Sequence, residues 1–524
     1  MSAAAPQNPE ANHRGMVTIA VMLATIMQAL DTTIANVALP HMQGNMGATQ
    51  DQISWVLTSY IVAAAIFMPL TGFLSARLGR KRIFLWAVVG FTLTSMLCGA
   101  AQNLSQIVLF RLLQGIFGAS LVPLSQAVLL DAYPREKHGS AMALWGVGVM
   151  VGPILGPSLG GWLTEYYNWR WVFYINLPFG ILAWAGIMAY VHETAIDPKR
   201  KFDLLGFSLL SLGIGALQMM LDRGESLDWF SSNEVIIEAM IAALAMYLFI
   251  AHIFTTEHAF IEPAIFKDRN FSIGLIFIFI IGVILLATMA LLPPYLQSLM
   301  GYPVIDVGFL LAPRGIGTMV AMITVGRLSG KIDARYMIGF GLALTCLSMW
   351  LMTGFTTDMP ARGIISSGVL QGFGLGFIFV PLSTLTFSTL QGHYRNEGTA
   401  LFSLVRNIGS SIGISVVITY LAERTQINHA AFADYVSPFS PGAAYAMSKG
   451  ALDLGSTYGL SVANAGVTSL AADLAYLQDF RLMMWITLAA SPLILILRTP
   501  PKKPASATAK PDEIPDDVIE AAIE

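Results

Sequence analysis

Charge is what this chain lacks. Asp, Glu, Lys and Arg make up 12% of its 524 residues, about half the share found in an ordinary soluble domain. The shortage runs along most of the length, which excludes a conventional water-soluble globule with one apolar core. The formal net charge of −3 is too small to argue for nucleic acid or an acidic partner, and no nucleic acid is expected. Cysteine is scarce too: Cys98 and Cys346 are the only two, both inside long apolar runs, so no disulfide framework is expected. Several catalytic signatures are missing. There is no His-Glu-x-x-His and no pair of acidic or thiol ligands at metal spacing. The nearest string to a phosphate loop, Ser329-Gly330-Lys331-Ile332, has neither the earlier glycine nor the following Ser or Thr. These absences exclude an ATP-driven pump and speak against an enzyme. No metal and no cofactor is expected.

What the chain has is apolar length. A bilayer-crossing helix needs about 20 mainly apolar residues, and fourteen such runs are present. They lie near 15–36, 53–74, 83–101, 107–131, 140–165, 171–191, 204–221, 235–255, 272–296, 306–328, 336–355, 363–390, 399–422 and 480–498. The polar stretch before the first run reads as a tail, because the run itself is too long for a cleavable signal peptide. Orientation follows from the Lys and Arg of the loops. With the N-terminus in the cytoplasm, twenty of the 29 Lys and Arg fall on the cytoplasmic side and six on the other. Arg111, Arg314 and Arg406 lie within spans. Both termini are therefore expected in the cytoplasm.

An internal repeat is written in the polar punctuation. After the second span the chain reads Gly72 to Lys81 as GFLSARLGRK; after the tenth it reads Gly326 to Arg335 as GRLSGKIDAR, 254 residues on. The fourth span carries Leu113-Gln114-Gly115 and Pro123-Leu124-Ser125. The twelfth carries Leu370-Gln371-Gly372 and Pro381-Leu382-Ser383, at offsets of 257 and 258. The expected organisation is a cytoplasmic tail (1–14), a six-helix half (15–192), an inserted hairpin of the seventh and eighth spans (204–255), a second six-helix half (272–498) and a tail (499–524). Inverted or repeated halves of this kind build a central site that opens alternately to either side.

A charge at mid-bilayer costs roughly 2.5–3.5 kcal/mol on insertion scales, so each one retained there asks for a reason. Asp31 near the outer end of the first span and Arg111 near the outer start of the fourth both fall ~6–8 Å below the boundary at 1.5 Å per residue. They can therefore meet. Such a pair is either a static tie between two helices or a site that exchanges a proton, pairing lowering and burial raising the carboxyl's pKa. If Asp31 faces a cavity it also attracts a cationic drug directly. Arg314 and Arg406 have no obvious carboxylate in sequence; each either caps backbone carbonyls or faces the cavity and binds substrate or disperses charge. In the fifth span, Gly148, Gly152, Gly156, Gly160 and Gly161 make a smooth face for a close helix neighbour, and Pro153 and Pro157 bend it. That face is expected to pack tightly and to serve as the seam between the halves. Met27, Trp55, Tyr60 and Trp145 suit either an adaptable cavity or a lipid-facing surface.

These residues together resemble the major facilitator superfamily, specifically its fourteen-helix drug:proton antiporters of the EmrB type, through nearly all of the chain. Leu30 to Pro40 (LDTTIANVALP) resembles the first-helix motif of that group. Arg111-x-x-Gln114-Gly115 resembles the fourth-helix motif linked to proton transfer, and the Gly-Pro series resembles the antiporter motif. Trp169 to Pro178 and Leu221 to Phe230 are further similar stretches. In the loop after the second span, Gly72, Arg77, Gly79, Arg80 and Lys81 fit the superfamily, but Ala76 stands where an aspartate is usual. That departure leaves the basic residues of the loop mainly as topology anchors. The resemblance implies a multi-pass protein of the bacterial inner membrane that exports hydrophobic drugs or related amphipathic molecules in exchange for protons, with proton coupling at Asp31 and Arg111 and with Gln114 as a substrate-binding candidate. It also implies a periplasmic membrane-fusion adaptor and, through it, an outer-membrane channel. The long outward segment 423–479 contains an apolar stretch, Val462 to Leu477, expected as an amphipathic helix on the outer surface that docks such an adaptor or lies on lipid. A proton-driven symporter, or an exporter of one narrow endogenous metabolite, is the alternative.

Overall fold

Apolar residues in runs of twenty or more must satisfy their backbone internally in lipid, and helices do so within one segment. A computed structural model describes residues 13–194, 196–198, 200–437, 439–449 and 453–497. The remaining parts of both tails, with Lys199, Arg498, Lys502, Lys503 and Lys510 of the charge count, lie outside the described residues.

In chain order the helices are α1 (Arg14–Met46), α2 (Gln50–Phe67), α3 (Leu70–Leu78), α4 (Arg80–Ala100), α5 (Leu104–Gly118), α6 (Leu121–Ala132), α7 (His138–Tyr166), α8 (Trp171–Tyr174), α9 (Asn176–Tyr190), α10 (Leu204–Arg223), α11 (Asn233–Thr255), α12 (Arg269–Pro294), α13 (Val304–Leu328), α14 (Ala334–Met352), α15 (Ala361–Ser388), α16 (Arg395–Ala433), α17 (Pro441–Ser448) and α18 (Thr457–Ala490). Among the described residues thirteen helices are long and apolar enough to cross a membrane, and fourteen if the bent pair α2–α3 is one span. The bend is 53° and falls at Met68-Pro69, where proline cannot donate its backbone hydrogen bond.

Two expectations for the last spans are corrected. The helix of the thirteenth expected span, α16, runs from Arg395 to Ala433, well past residue 422. Val462 to Leu477 is no separate surface helix: it is the first half of α18, which continues unbroken to Ala490. Asp473, Asp479 and Arg481 interrupt the hydropathy there, but no proline or glycine interrupts the backbone between Gly466 and Pro492. Asn428 on α16 donates to the Ala471 carbonyl at 3.2 Å and His429 meets Asn464 at 3.0 Å, so the two extensions are tied side by side.

The helices pack in two groups. In one, α1 lies against α7 and α9, α2 against α5, and α4 against α5 and α9; in the other, α12 lies against α16, and α15 against α13 and α14. The groups meet along α7–α13, and α10 packs on both α2 and α16.

Candidate functional site

The end of the molecule that carries the Lys- and Arg-rich loops is tightly joined. Asp131 at the end of α6 accepts from Arg80 at the start of α4 and from Arg395 at the start of α16. Glu397, almost fully buried, accepts from Arg200 at 3.1 Å and from the Glu262 backbone amide at 3.0 Å. A Cβ on Gly72 would come within 2.9 Å of the Glu397 Cα, so only glycine lets α3 approach α16 this closely. Ser140 on α7 donates to the Gly326 carbonyl on α13 at 2.9 Å, and the Trp145 ring stacks on Phe379 at 5.9 Å.

Arg80 is therefore more than a topology anchor, because it joins two helix groups through Asp131. The rest of the loop motif divides. Arg77 is exposed and lies 5.9 Å from the Phe73 ring centre. Lys81 donates to the Met188 carbonyl at 2.7 Å. Gly79 has φ 97°, a backbone that favours glycine. At position 76, where the side chain is only a methyl, the carbonyl accepts from the Asp197 amide at 2.9 Å.

Deeper in the first group, Asp31 on α1 and Arg111 on α5 meet as the spacing predicts. An Arg111 Nη donates to Asp31 Oδ2 at 2.6 Å, and both side chains are 1% exposed or less. Gln114 Nε2 donates to Asp31 Oδ1 at 2.9 Å, and Asn176 Nδ2 donates to the same oxygen at 2.8 Å. Arg111 also donates to the Val56 carbonyl and to Gln114 Oε1, at 3.1 and 2.8 Å. Its guanidinium lies 4.3 Å from the Tyr60 ring centre. Each buried ionic group is thus matched in charge and in hydrogen bonds, which a membrane interior demands. Gln114 belongs to this network, and Asp31, enclosed by three donors, is not open to a cationic drug. Tyr60, one of the residues expected at a cavity or a lipid-facing surface, belongs to the network, and so does Asn176, which no spacing singles out within the distinctive stretch after Trp169.

Arg314 on α13 is buried, and among the described residues its one hydrogen bond is to the Leu285 carbonyl at 3.4 Å. Arg406 on α16 is half-buried. Neither has an ion-pair partner among the described residues.

The glycine face of α7 has a different neighbour from the one expected. A Cβ on Gly148 would meet Met22, one on Gly152 the Ala29 carbonyl, one on Gly156 the Thr33 side chain and one on Gly160 Ile34. All four partners lie on α1, so this face fixes α1 and is not the seam between the groups. Thr33 reinforces it by donating to the Gly152 carbonyl at 3.1 Å. Pro153 and Pro157 stand within this continuous helix, and nothing lies within 4 Å of a Cβ built on Gly161. The seam uses another side of α7, where Gly139 faces Ser329, just past the end of α13, and Gly146 faces Met322 on α13. Met27, Tyr60 and Trp145 are buried inside the bundle rather than turned to lipid.

A helical bundle with bent, glycine-lined spans and a buried ion pair between them is the build of a membrane transporter, not of an enzyme. The sequence pattern of the Major Facilitator Superfamily matches residues 21–414, and the chain belongs to that superfamily. It is 39% identical over 425 residues to the fatty acid resistance protein FarB of Neisseria gonorrhoeae, covering 81% of this chain and 84% of that one. It is 38% identical over 431 residues to the multidrug export protein EmrB of Escherichia coli (strain K12), covering 82% and 84%. The crystal structure of the human organic anion transporter MFSD10 matches with a TM-score of 0.57 over 92% of this chain and 100% of that one, at 15% identity. That last likeness is one of fold. The protein is a multi-pass all-α transporter related to bacterial multidrug- and fatty-acid-resistance exporters.

Proposed function

We propose that the chain is a proton-coupled antiporter that exports hydrophobic or amphipathic small molecules across the bacterial inner membrane by alternating access. The observation that carries this reading is the Asp31–Arg111–Gln114–Asn176 network, a carboxylate with no exposure whose charge is held by one guanidinium and two amides. With the Lys- and Arg-rich loops and both termini in the cytoplasm, the joined end is the inner gate, and the arrangement is one closed to the cytoplasm. The halves are 15–192 and 272–498, with the hairpin 204–255 between them.

In this scheme a proton arriving from the outer side neutralises Asp31 and weakens its hold on Arg111. The freed guanidinium turns to the Val56 carbonyl, Gln114 and the Tyr60 ring, which already surround it. α1 is then less firmly bound to α5 but still seated on the glycines of α7, so movement of the pair reaches the inner gate. Release of the proton to the cytoplasm restores the ion pair, and one substrate leaves outward per cycle. Arg314 and Arg406 are the substrate-binding or charge-dispersing groups of the second half. FarB and EmrB, whose names record fatty acid resistance and multidrug export, support a substrate that is hydrophobic or amphipathic.

The outward extensions of α16 and α18 are proposed to dock a periplasmic membrane-fusion adaptor and, through it, an outer-membrane channel. At 1.5 Å per residue a 39-residue helix is ~58 Å long, about twice the hydrocarbon thickness.

The test is made on inverted vesicles carrying an inside-acid gradient, with a panel of hydrophobic compounds and a pH-sensitive dye. A compound that collapses the gradient with the native protein but not with Asp31→Asn supports antiport through Asp31. Collapse with both moves the proton site elsewhere. No collapse with any compound ends the exporter reading.

A further inference from the structure

We propose that Arg314, with the amide of Gln371 on the adjoining α15, receives the carboxylate head of an amphipathic substrate. The inference deepens the exporter reading and rests on it. Its ground is the internal repeat, which the contacts allow to be aligned residue by residue. In the first group Gln114 donates to Asp31 at 2.9 Å; in the second Gln371 donates to Thr288 at 3.0 Å. Both members of the second pair stand 257 residues after their counterparts. Gly115 is seated on the backbone of Tyr60, and Gly372 is seated in the same way on the backbone of Arg314. The offset from Tyr60 to Arg314 is 254 residues, the same as that from Gly72 to Gly326.

These equivalences say what each half has kept and changed. Arg314 stands where the first half has Tyr60, the ring that lies under the Arg111 guanidinium. The place of Arg111 is taken by Gly368, and a Cβ there would lie 3.6 Å from the Arg314 Cβ. A guanidinium is therefore present in the same neighbourhood of both halves, delivered by α5 in one and by α13 in the other. The anion is what differs. Asp31 has become Thr288, a hydroxyl that cannot balance a cation.

Among the described residues, the second half consequently carries charge without a match. Arg314 is 6% exposed, and its one hydrogen bond, to Leu285, lies a single turn from Thr288 on α12. Gln371 is fully buried, and its Nε2, which donates to the Thr288 hydroxyl, is the amide donor that a carboxylate would take over. Arg406 adds a second unpaired cation, its backbone resting on Gly282, one turn from Leu285 on the same helix. A buried guanidinium without an anion is costly, and a carboxylate is the group it matches in geometry and charge. The first half shows the filled form of this arrangement, a carboxylate held by one guanidinium and by amides. The carboxylate that completes the second half comes with the cargo.

The experiment measures equilibrium binding of dodecanoate, neutral dodecanamide and dodecylamine to the full-length protein in nanodiscs of zwitterionic lipid, at neutral pH. The native protein is expected to bind dodecanoate at least about tenfold more tightly than the amide, the ratio that one charge-assisted hydrogen bond supplies. Arg314→Gln removes that preference and leaves amide binding within about twofold; Arg314→Lys retains part of it. Thr288→Asp is the second variant, and it keeps Arg314 while supplying an internal carboxylate. It should lose dodecanoate selectively, which covers the case in which Arg314→Gln does not fold. Equal binding of acid and amide by the native protein overturns the proposal, as does a loss of both ligands alike in the two variants. The gradient assay separates this failure from failure of the exporter reading. If neutral compounds collapse the gradient but the acid is not preferred, export stands and the anion site falls. If the acid is preferred through Arg314 but nothing collapses the gradient, the site stands and proton-driven export falls.

Discussion

Ionic groups buried in lipid-facing bundles are costly singly and tolerable in matched sets, and Asp31 and Arg111 show how complete the match has to be. Removing one member of a buried pair leaves the other uncompensated, a loss of about 3–5 kcal/mol. Arg111→Ala is therefore expected to lower the midpoint of thermal unfolding in detergent strongly. Asp31→Asn keeps the side chain's size and one hydrogen-bonding oxygen, so it should lose proton coupling with a smaller loss of stability. Equal destabilisation by the two would argue that the pair is only a static tie. A second residue-scale expectation lies outside the membrane, at Asp203, which precedes α10. Partial burial opposes its charge, but hydrogen bonds from the Gly206 amide, His252 and the Phe260 amide outweigh it and bring the carboxyl below its ordinary value. A carboxyl depressed on folding contributes stability that is fully present above its unfolded pKa and is lost as pH falls through the folded one. With an unfolded value near ~3.9, the contribution is constant through neutral pH and disappears only below about pH 4. Thermal melts of native protein and Asp203→Asn should differ by a constant amount above that pH and converge below it.

At the scale of the element, the glycine series of α7 is a seat for α1, and its members are not equivalent. A Cβ on Gly152 would lie 2.5 and 2.6 Å from the Ala29 carbonyl oxygen and carbon. Backbone against backbone cannot yield by a rotamer change, so Gly152→Ala must displace α1, and with it Asp31 two residues further on. Gly161→Ala meets nothing within 4 Å. The first variant is expected to lose gradient-coupled export and thermal stability, the second to keep both, when the two are assayed side by side. Spacing every fourth residue says that a close neighbour exists, but the identity of that neighbour depends on which side of α7 turns to α1. Asp31 and Arg111 do meet, but α1 runs on to Met46 and leaves Asp31 at mid-helix, so the expected depth below the outer boundary holds only if the helix projects beyond the bilayer. The continuity of α18 was hidden by Asp473, Asp479 and Arg481, which lower hydropathy without breaking a helix.

At the scale of the molecule, the two helix groups are held at one end by charges that come from separate parts of the chain. Asp131 takes guanidinium groups from both groups at once, Arg80 from one and Arg395 from the other. Glu397, beside Gly72, is held by Arg200 and by the Glu262 amide, from the two connections that flank the α10–α11 hairpin. In each of these ion pairs the donor is far from its acceptor in sequence, so no spacing rule points to the pairing. The loop motif from Gly72 to Lys81 shows only that something must approach. Charge-assisted contacts of this kind contribute about 1.5–3 kcal/mol each, and a change of one or two kcal/mol moves a two-state population by a factor of roughly 5–30. Asp131→Asn leaves the fold of each group untouched and removes the charge that both arginines share. It is therefore expected to shift the protein toward a form open at this end. Spin labels at Lys137 and Lys331, both exposed at that end, report the shift once Cys98 and Cys346 are replaced. The native protein should give mainly the short distance, and Asp131→Asn a mixture with a longer one. Glu397→Gln, acting through the hairpin connections rather than through Asp131, should add to it. An unchanged distance distribution in both variants would mean that apolar packing along α7 and α13, not charge, holds this end closed.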